Sequence, residues 1–175
     1  CGSRTWRWAL GTPVLLFAFQ NWDVFAIAAM LAGLLAFERR RDALAGGFLG
    51  LGVVIKLFPL VLLPPLLALR IAQRDRRGAW RLGASTAIVL VACNGPLALA
   101  NLRGWWWPIA FQGRRHATWG SIWPYVYRAL GIATAGPGAA QLANVVSLVA
   151  LTLGVGWLTV RAFQRRLEAV ALAGA

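Results

Sequence analysis

Two positively charged sites in this sequence are suited to binding a phosphate group. Lys56 is the only lysine of the chain and lies inside an apolar segment, where an ammonium group is costly unless it is paired or reaches the membrane surface. Its compact charge suits the phosphate of a lipid. Arg114, Arg115 and His116 are consecutive, and two guanidinium groups beside an imidazole suit a phosphate or diphosphate. The sequence therefore predicts an anion contact at each site.

Both sites also have a purely structural interpretation. Lys56 could extend its ammonium group to the membrane surface, and the two arginines could touch lipid headgroups from an amphipathic interfacial loop. His116 could transfer a proton near neutral pH, or it could only donate a hydrogen bond to a neighbour. Pro59 is expected to fix the turn that presents Lys56.

A third polar site, Asn21 and Asp23, separates two apolar segments. The structural interpretation is a helix N-cap, in which a side-chain oxygen accepts a hydrogen bond from a free backbone N–H group. The functional interpretation is that Asp23 lines a polar pocket, because an acidic residue at membrane depth is a candidate for function.

The composition excludes most classes of soluble protein. Hydrophobic residues make up 59% of the 175 residues and charged residues 13%, and the net charge is +13. The arginines lie between apolar blocks, so we predict membrane lipid and no nucleic acid as a partner. Cys1 and Cys93 offer no disulfide framework, no metal-ligand spacing is present, and no cofactor is predicted.

Arginine placement predicts the topology, because lysine and arginine accumulate on the cytoplasmic side of membrane helices. We place three dense clusters there: residues 39–41, 70–81 and 161–166. The apolar runs then form two hairpins, two single spans and one external loop. The hairpins cover residues 8–37, with the tip at 21–23, and 43–69, with the tip near 56–59; the spans are 82–100 and 142–159, and the loop is about 101–141.

This interpretation gives an all-α, polytopic helical protein of the bacterial plasma membrane, forming a single transmembrane domain over residues 1–175. Helices are the only spanning elements that the pattern supports. The 27 residues of the second hairpin allow two arms of roughly 20 Å, shorter than a hydrocarbon core of about 30 Å. Short kinked helices would leave an outward depression that water and a polar headgroup can enter.

Several short motifs occur in a particular order along the chain. They are Asn21-Trp22-Asp23, the glycine-rich residues 45–52, Lys56-Leu57-Phe58-Pro59, Asn94-Gly95-Pro96, Gly104-Trp105, and Arg115 with Ser121 six residues later. Their order and spacing resemble the GT-C glycosyltransferases of family 87, which include actinobacterial α-mannosyltransferases.

The resemblance implies a membrane enzyme with an outward-facing site. Such an enzyme transfers a hexose, mannose above all, from a polyprenyl-phosphate donor to a glycolipid or cell-wall polysaccharide. It assigns Asn21, Asp23, Lys56, Arg115 and Ser121 to substrate binding, whereas Arg114 and His116 are added here from their chemistry. The general base of the family lies in a first external loop. We expect that loop upstream of Cys1, so the chain is interpreted as part of a longer protein and its catalytic residues stay unassigned.

Two other functions fit the same pattern. Broken helices with a central lysine also occur in transporters, so a transporter or flippase component is one alternative. A non-catalytic membrane scaffold, whose polar residues only anchor it at the interface, is the other.

Overall fold

The computed structural model describes residues 22–114, 121–131 and 137–164. Helices account for 88% of these residues, and no strand occurs among them. In chain order the elements are α1 (Asp23–Glu38), α2 (Asp42–Ile55), a 3-10 helix (Phe58–Leu62), α3 (Leu63–Ala72), α4 (Arg76–Ala100), α5 (Leu102–Arg114), α6 (Trp123–Ala129) and α7 (Pro137–Phe163). The all-α prediction is therefore confirmed for the described part of the chain.

The chain divides into two compact units. The first comprises residues 1–93 and 158–175, and the second comprises residues 94–157. Buried leucines and one phenylalanine form the core of the first unit, together with small residues of several helices. They include Leu34, Phe37, Ala45, Leu49, Leu62, Leu66, Leu69, Leu82 and Ala162.

Two tight turns reverse the chain in the first unit. After α1, the N–H of Arg41 donates to the carbonyl of Ala36 while Arg40 adopts a left-handed conformation with φ of 59°. After α3, the N–H of Asp75 donates to the carbonyl of Arg70 and Arg74 has the same φ of 59°. This is the Schellman arrangement, in which glycine usually occupies the left-handed position. Both turns therefore keep an arginine where glycine would be less strained.

The second hairpin breaks where the sequence predicts. Helix α2 ends at Ile55, and Lys56 is extended with φ −150° and ψ 140°. Pro59 lies in the 3-10 helix that follows, since a proline ring cannot continue an α-helix without losing a hydrogen bond. Helix α2 has 14 residues and is about 21 Å long at 1.5 Å per residue. Residues 43–69 are thus two short helices around a break rather than one long helix.

Glycines bring α2 close to α4. A Cβ atom on Gly46 would overlap the Ser85 hydroxyl and the Leu82 carbonyl, and one on Gly50 would lie 2.9 Å from Cβ of Val89. The buried Thr86 hydroxyl donates to the Gly46 carbonyl at 3.1 Å. Small residues four positions apart allow this kind of helix packing, as the glycine-rich segment predicts.

Within residues 22–114, 121–131 and 137–164, two helices are long and apolar enough to cross a membrane. They are α4 and residues 141–163 of α7, of which the most apolar windows are only 11% and 6% buried. Their positions agree with the predicted spans over residues 82–100 and 142–159. Helix α4 continues through Pro96 to Ala100.

The second unit contains α5 and α6, which lie inside the region predicted as an external loop. Asn101 is the N-cap of α5, and its side chain accepts a hydrogen bond from the N–H of Gly104 at 2.8 Å. The buried hydroxyl of Tyr127 in α6 donates to the carbonyl of Ala139. Trp123 packs on the small core that Tyr127 forms with Ala139 and Ala143. The predicted loop is therefore largely helical where it is described.

Candidate functional site

Asp23 and Lys56 form an ion pair at one end of the first unit. The Lys56 ammonium nitrogen lies 3.2 Å from Oδ1 of Asp23, and each side chain is 41% exposed. Asp23 opens α1, and Lys56 follows the last residue of α2. Because α1 and α2 run antiparallel, these two residues lie close together although 33 positions separate them in the sequence. We call the end with Asp23, Lys56 and the 3-10 helix the tip end.

The capping interpretation of Asp23 is wrong. The N-cap of α1 is Trp22, it makes no side-chain capping bond, and Asp23 is the first helical residue. A carboxylate in the first turn still interacts favourably with the positive end of the helix dipole. The Asp23 carboxylate therefore holds the Lys56 ammonium group beside the N-terminus of α1 and the C-terminus of α2. The ammonium group has three donors, and its exposure leaves it accessible to a bound anion.

The opposite end of the first unit carries a second ion pair that sequence reasoning missed. Arg70 Nε donates to Oδ1 of Asp42 at 2.7 Å, and the two side chains are 2% and 6% exposed. The same guanidinium donates to the carbonyl of Phe37 and to Gln73, and its carbon lies 3.8 Å from the centre of the Phe37 ring. Arg70, which was predicted to belong to a cytoplasmic basic cluster, is buried, and its contacts link α1, α2 and α3.

A signal for this pair exists in the sequence. The chain has only five acidic residues, and Asp42 lies directly after three arginines. An acid that is rare in the chain but adjacent to arginines indicates pairing, although sequence alone does not identify which arginine is its partner.

Exposed arginines surround the buried pair. Arg40 lies 3.8 Å from Asp75, which joins the turn after α1 to the turn after α3. We call the end with these two turns, residues 39–41 and 73–75, the arginine end. Its exposed cations are Arg39, Arg40, Arg41, Arg74, Arg76, Arg77 and Arg81. Within its described residues, the first unit therefore has one densely cationic end and one end with a single lysine and its carboxylate.

The remaining predicted site residues lie outside the described residues or in the second unit. Asn21, Arg115 and His116 lie outside the described residues. Arg114 is the last residue of α5, and Ser121 lies partly buried in a bend before α6, in the second unit. Their predicted role in substrate binding stays a prediction.

Two residues from the later motifs do meet in the second unit. Trp105 Nε1 donates to Oδ1 of Asn94 at 3.1 Å, which ties the start of α5 to α4. Trp106 and Trp107 beside them are more than half exposed, and Trp107 stacks on Phe111 with ring centroids 5.1 Å apart. Exposed tryptophans of this kind suit a membrane interface.

In its described part, the protein is all-helical, its long helices present apolar side chains, and its accessible charges gather at the two ends of the first unit and at the start of α4. The chain belongs to glycosyltransferase family 87, whose model matches residues 3–175. The resemblance in the motifs is thereby confirmed, and the protein is a glycosyltransferase that uses a sugar donor and an acceptor. Neither the curated proteins nor the solved structures contain a match to it.

Proposed function

We propose that this protein is a multi-pass enzyme of the bacterial plasma membrane that transfers a hexose, most simply mannose, from a polyprenyl-phosphate donor. The acceptor is a glycolipid or cell-wall polysaccharide on the outer face. The observation that carries the proposal is the accessible Asp23–Lys56 pair at the ends of short helices, in a chain of a glycosyltransferase family.

The distribution of charge supports an outward tip end. The arginine end carries seven exposed arginines, whereas Lys56 is the one cation among the described residues at the tip end. The positive-inside rule puts the arginine end in the cytoplasm, and the opposite end of the same short helices then faces outward. Apolar side chains exposed along α4 and α7 support a bilayer as their surroundings.

Short helices explain how a lipid-borne phosphate would reach Lys56. Helix α2 spans about 21 Å, less than a hydrocarbon core of about 30 Å. The tip end of such a helix lies below the level of the headgroups, where water and a donor headgroup can follow it. The donor lipid tail stays in the bilayer while its phosphate meets the ammonium group.

In the proposed reaction the bond between the anomeric carbon of the hexose and the donor phosphate oxygen breaks. The acceptor oxygen bonds to that carbon, and its proton passes to a base. Lys56 stabilises the negative charge that develops on the leaving phosphate. Asp23 positions Lys56 and is not assigned the role of base. Arg115 is proposed to share the phosphate, with Asn21, Arg114, His116 and Ser121 as further substrate contacts.

The test measures sugar transfer by the full-length protein in membrane vesicles with polyprenyl-phosphate [14C]mannose. Lys56→Ala is expected to lower the rate by about 10²-fold or more, because one contact to a developing oxyanion has this effect. Arg115→Ala is expected to act in the same direction.

The matched control is Arg77→Gln, which removes one exposed cation from the arginine end and should leave the rate unchanged. Unchanged transfer in both Lys56→Ala and Arg115→Ala, at normal expression, would overturn the proposed site. Transfer from a nucleotide sugar but not from the polyprenyl-phosphate sugar would overturn the proposed donor.

A further inference from the structure

A groove runs between α1 and α2 near the arginine end. Its apolar lining comes from one face of each helix: Ala32, Leu35 and Ala36 of α1, and Leu44 and Phe48 of α2. Arg39 and Arg41 complete the lining, and the volume is about 250 Å³. The lining contains no acidic residue. The groove is therefore apolar along the helices and cationic at the turn.

The two groove arginines make no ion pair within the described part of the chain. Among the described residues, neither Arg39 nor Arg41 has a carboxylate within ion-pair distance, whereas Arg40 between them contacts Asp75. Both are exposed. The backbone bonds of the turn hold them in place, since the N–H groups of Arg39 and Arg41 donate to Leu35 and Ala36. Two guanidinium groups on this fixed backbone, at one mouth of an apolar groove, suit an anion.

We infer that this groove binds one anionic phospholipid, with its phosphate on Arg39 and Arg41 and an acyl chain along the apolar lining. The order of groups matches that of a lipid in a bilayer: the charges lie at the end of the helices, and the apolar lining extends away from them toward the tip end. From Arg39 to Ala32 the groove follows α1 for about 10 Å at 1.5 Å per residue. Basic pockets between helices on the cytoplasmic side bind phosphate headgroups for the same reason.

The positive charge of Arg39 and Arg41 favours an anionic phospholipid over other occupants of the groove. A zwitterionic lipid offers no net charge to two guanidinium groups, and a second copy of this surface would bring like charges together. A neighbouring groove between α3 and α4 is larger, about 470 Å³, but Arg76 is the one cation in its lining. The inference rests on the membrane location in the proposed function but on none of its chemistry.

The experiment is native mass spectrometry of the full-length protein in detergent, titrated separately with phosphatidylglycerol, phosphatidylcholine and polyprenyl phosphate. The native protein is expected to retain phosphatidylglycerol about tenfold more strongly than phosphatidylcholine, the ratio that one charge-assisted phosphate contact provides. Arg39→Gln with Arg41→Gln should abolish this preference. The charge-matched control, Arg74→Gln with Arg77→Gln, removes two cations from the same end outside the groove and should retain it.

A second variant tests the apolar part. Ala32→Phe adds volume to the groove and removes no charge, and it should weaken phosphatidylglycerol retention as well. Equal loss in the groove and control variants would reduce the effect to general electrostatics and overturn the site. Retention of phosphatidylglycerol unaffected by Ala32→Phe, loss of polyprenyl phosphate rather than phosphatidylglycerol in the Arg39→Gln/Arg41→Gln variant, or a shift to dimer mass in place of lipid retention would each overturn it too. Because no sugar transfer is measured, failure here leaves the proposed enzymatic reaction untouched.

Discussion

The two ends of the first unit each hold an ion pair, and the two pairs are built differently. Arg70 and Asp42 at the arginine end are 2% and 6% exposed and lie 2.7 Å apart. Lys56 and Asp23 at the tip end are both 41% exposed and lie 3.2 Å apart. The first pair is completed by a carbonyl, an amide oxygen and an aromatic ring, whereas the second keeps donors that solvent can reach.

The difference in burial distinguishes a charge that stabilises the fold from a charge that solvent and ligands can reach. A guanidinium buried among several acceptors fixes the geometry of three helices, and it is satisfied there. An ammonium at an exposed helix end contributes little to stability and remains able to bind an anion. The buried pair at the arginine end therefore holds three helices together, and the accessible pair at the tip end is the one that we propose as a substrate contact.

Arg70→Ala should have the largest effect on stability. It leaves the Asp42 carboxylate buried without its partner, which costs about 3–5 kcal/mol of the free energy of unfolding. Equilibrium unfolding of the full-length protein in mixed micelles with increasing SDS measures this change. Arg70→Met combined with Asp42→Asn removes both charges and should cost less than the single variant. A single-variant loss below about 1 kcal/mol, the range of exposed pairs, would remove the distinction between the ends.

The Gly46→Val variant tests whether the stability of the first unit also depends on close packing of α2 against α4. The added side chain would overlap the Leu82 carbonyl and the Ser85 hydroxyl, so we expect a loss of about 1–3 kcal/mol in the same unfolding experiment. Gly47→Val is the matched control, because a Cβ at Gly47 meets no atom within 4 Å beyond its chain neighbours and the backbone of its own helix. Equal effects at the two glycines would argue against close α2–α4 contact.

The smallest effect is expected at the tip end. A double-mutant cycle with Asp23→Asn and Lys56→Gln should give a coupling energy of about 1 kcal/mol or less, and added salt should reduce it. Stability and sugar transfer are then measured on the same variants. Lys56→Gln is expected to keep its stability and to lose transfer. A coupling as large as that expected for the buried pair contradicts the assignment of the tip end to ligand binding.

Much of the local architecture could be predicted from sequence. The break at Lys56 and Pro59 follows from the chemistry of proline, and the close approach at Gly46 follows from the absence of a side chain. The helical nature of residues 102–114 was not predicted, because tryptophans, glycines and arginines obscure the apolar periodicity there. The role of Arg70 was missed because a run of arginines is usually a solvated surface.

Sequence alone was enough to predict most of the apolar helices, the break at Lys56 and Pro59, and the turns at which the arginines gather. These properties depend on neighbours close in the chain, so local composition carries them. The pairing of each carboxylate with its cation depends on the three-dimensional fold. Asp23 reaches Lys56 and Asp42 reaches Arg70 because antiparallel helices bring distant residues to the same end, and burial at one end and exposure at the other give the two pairs different roles.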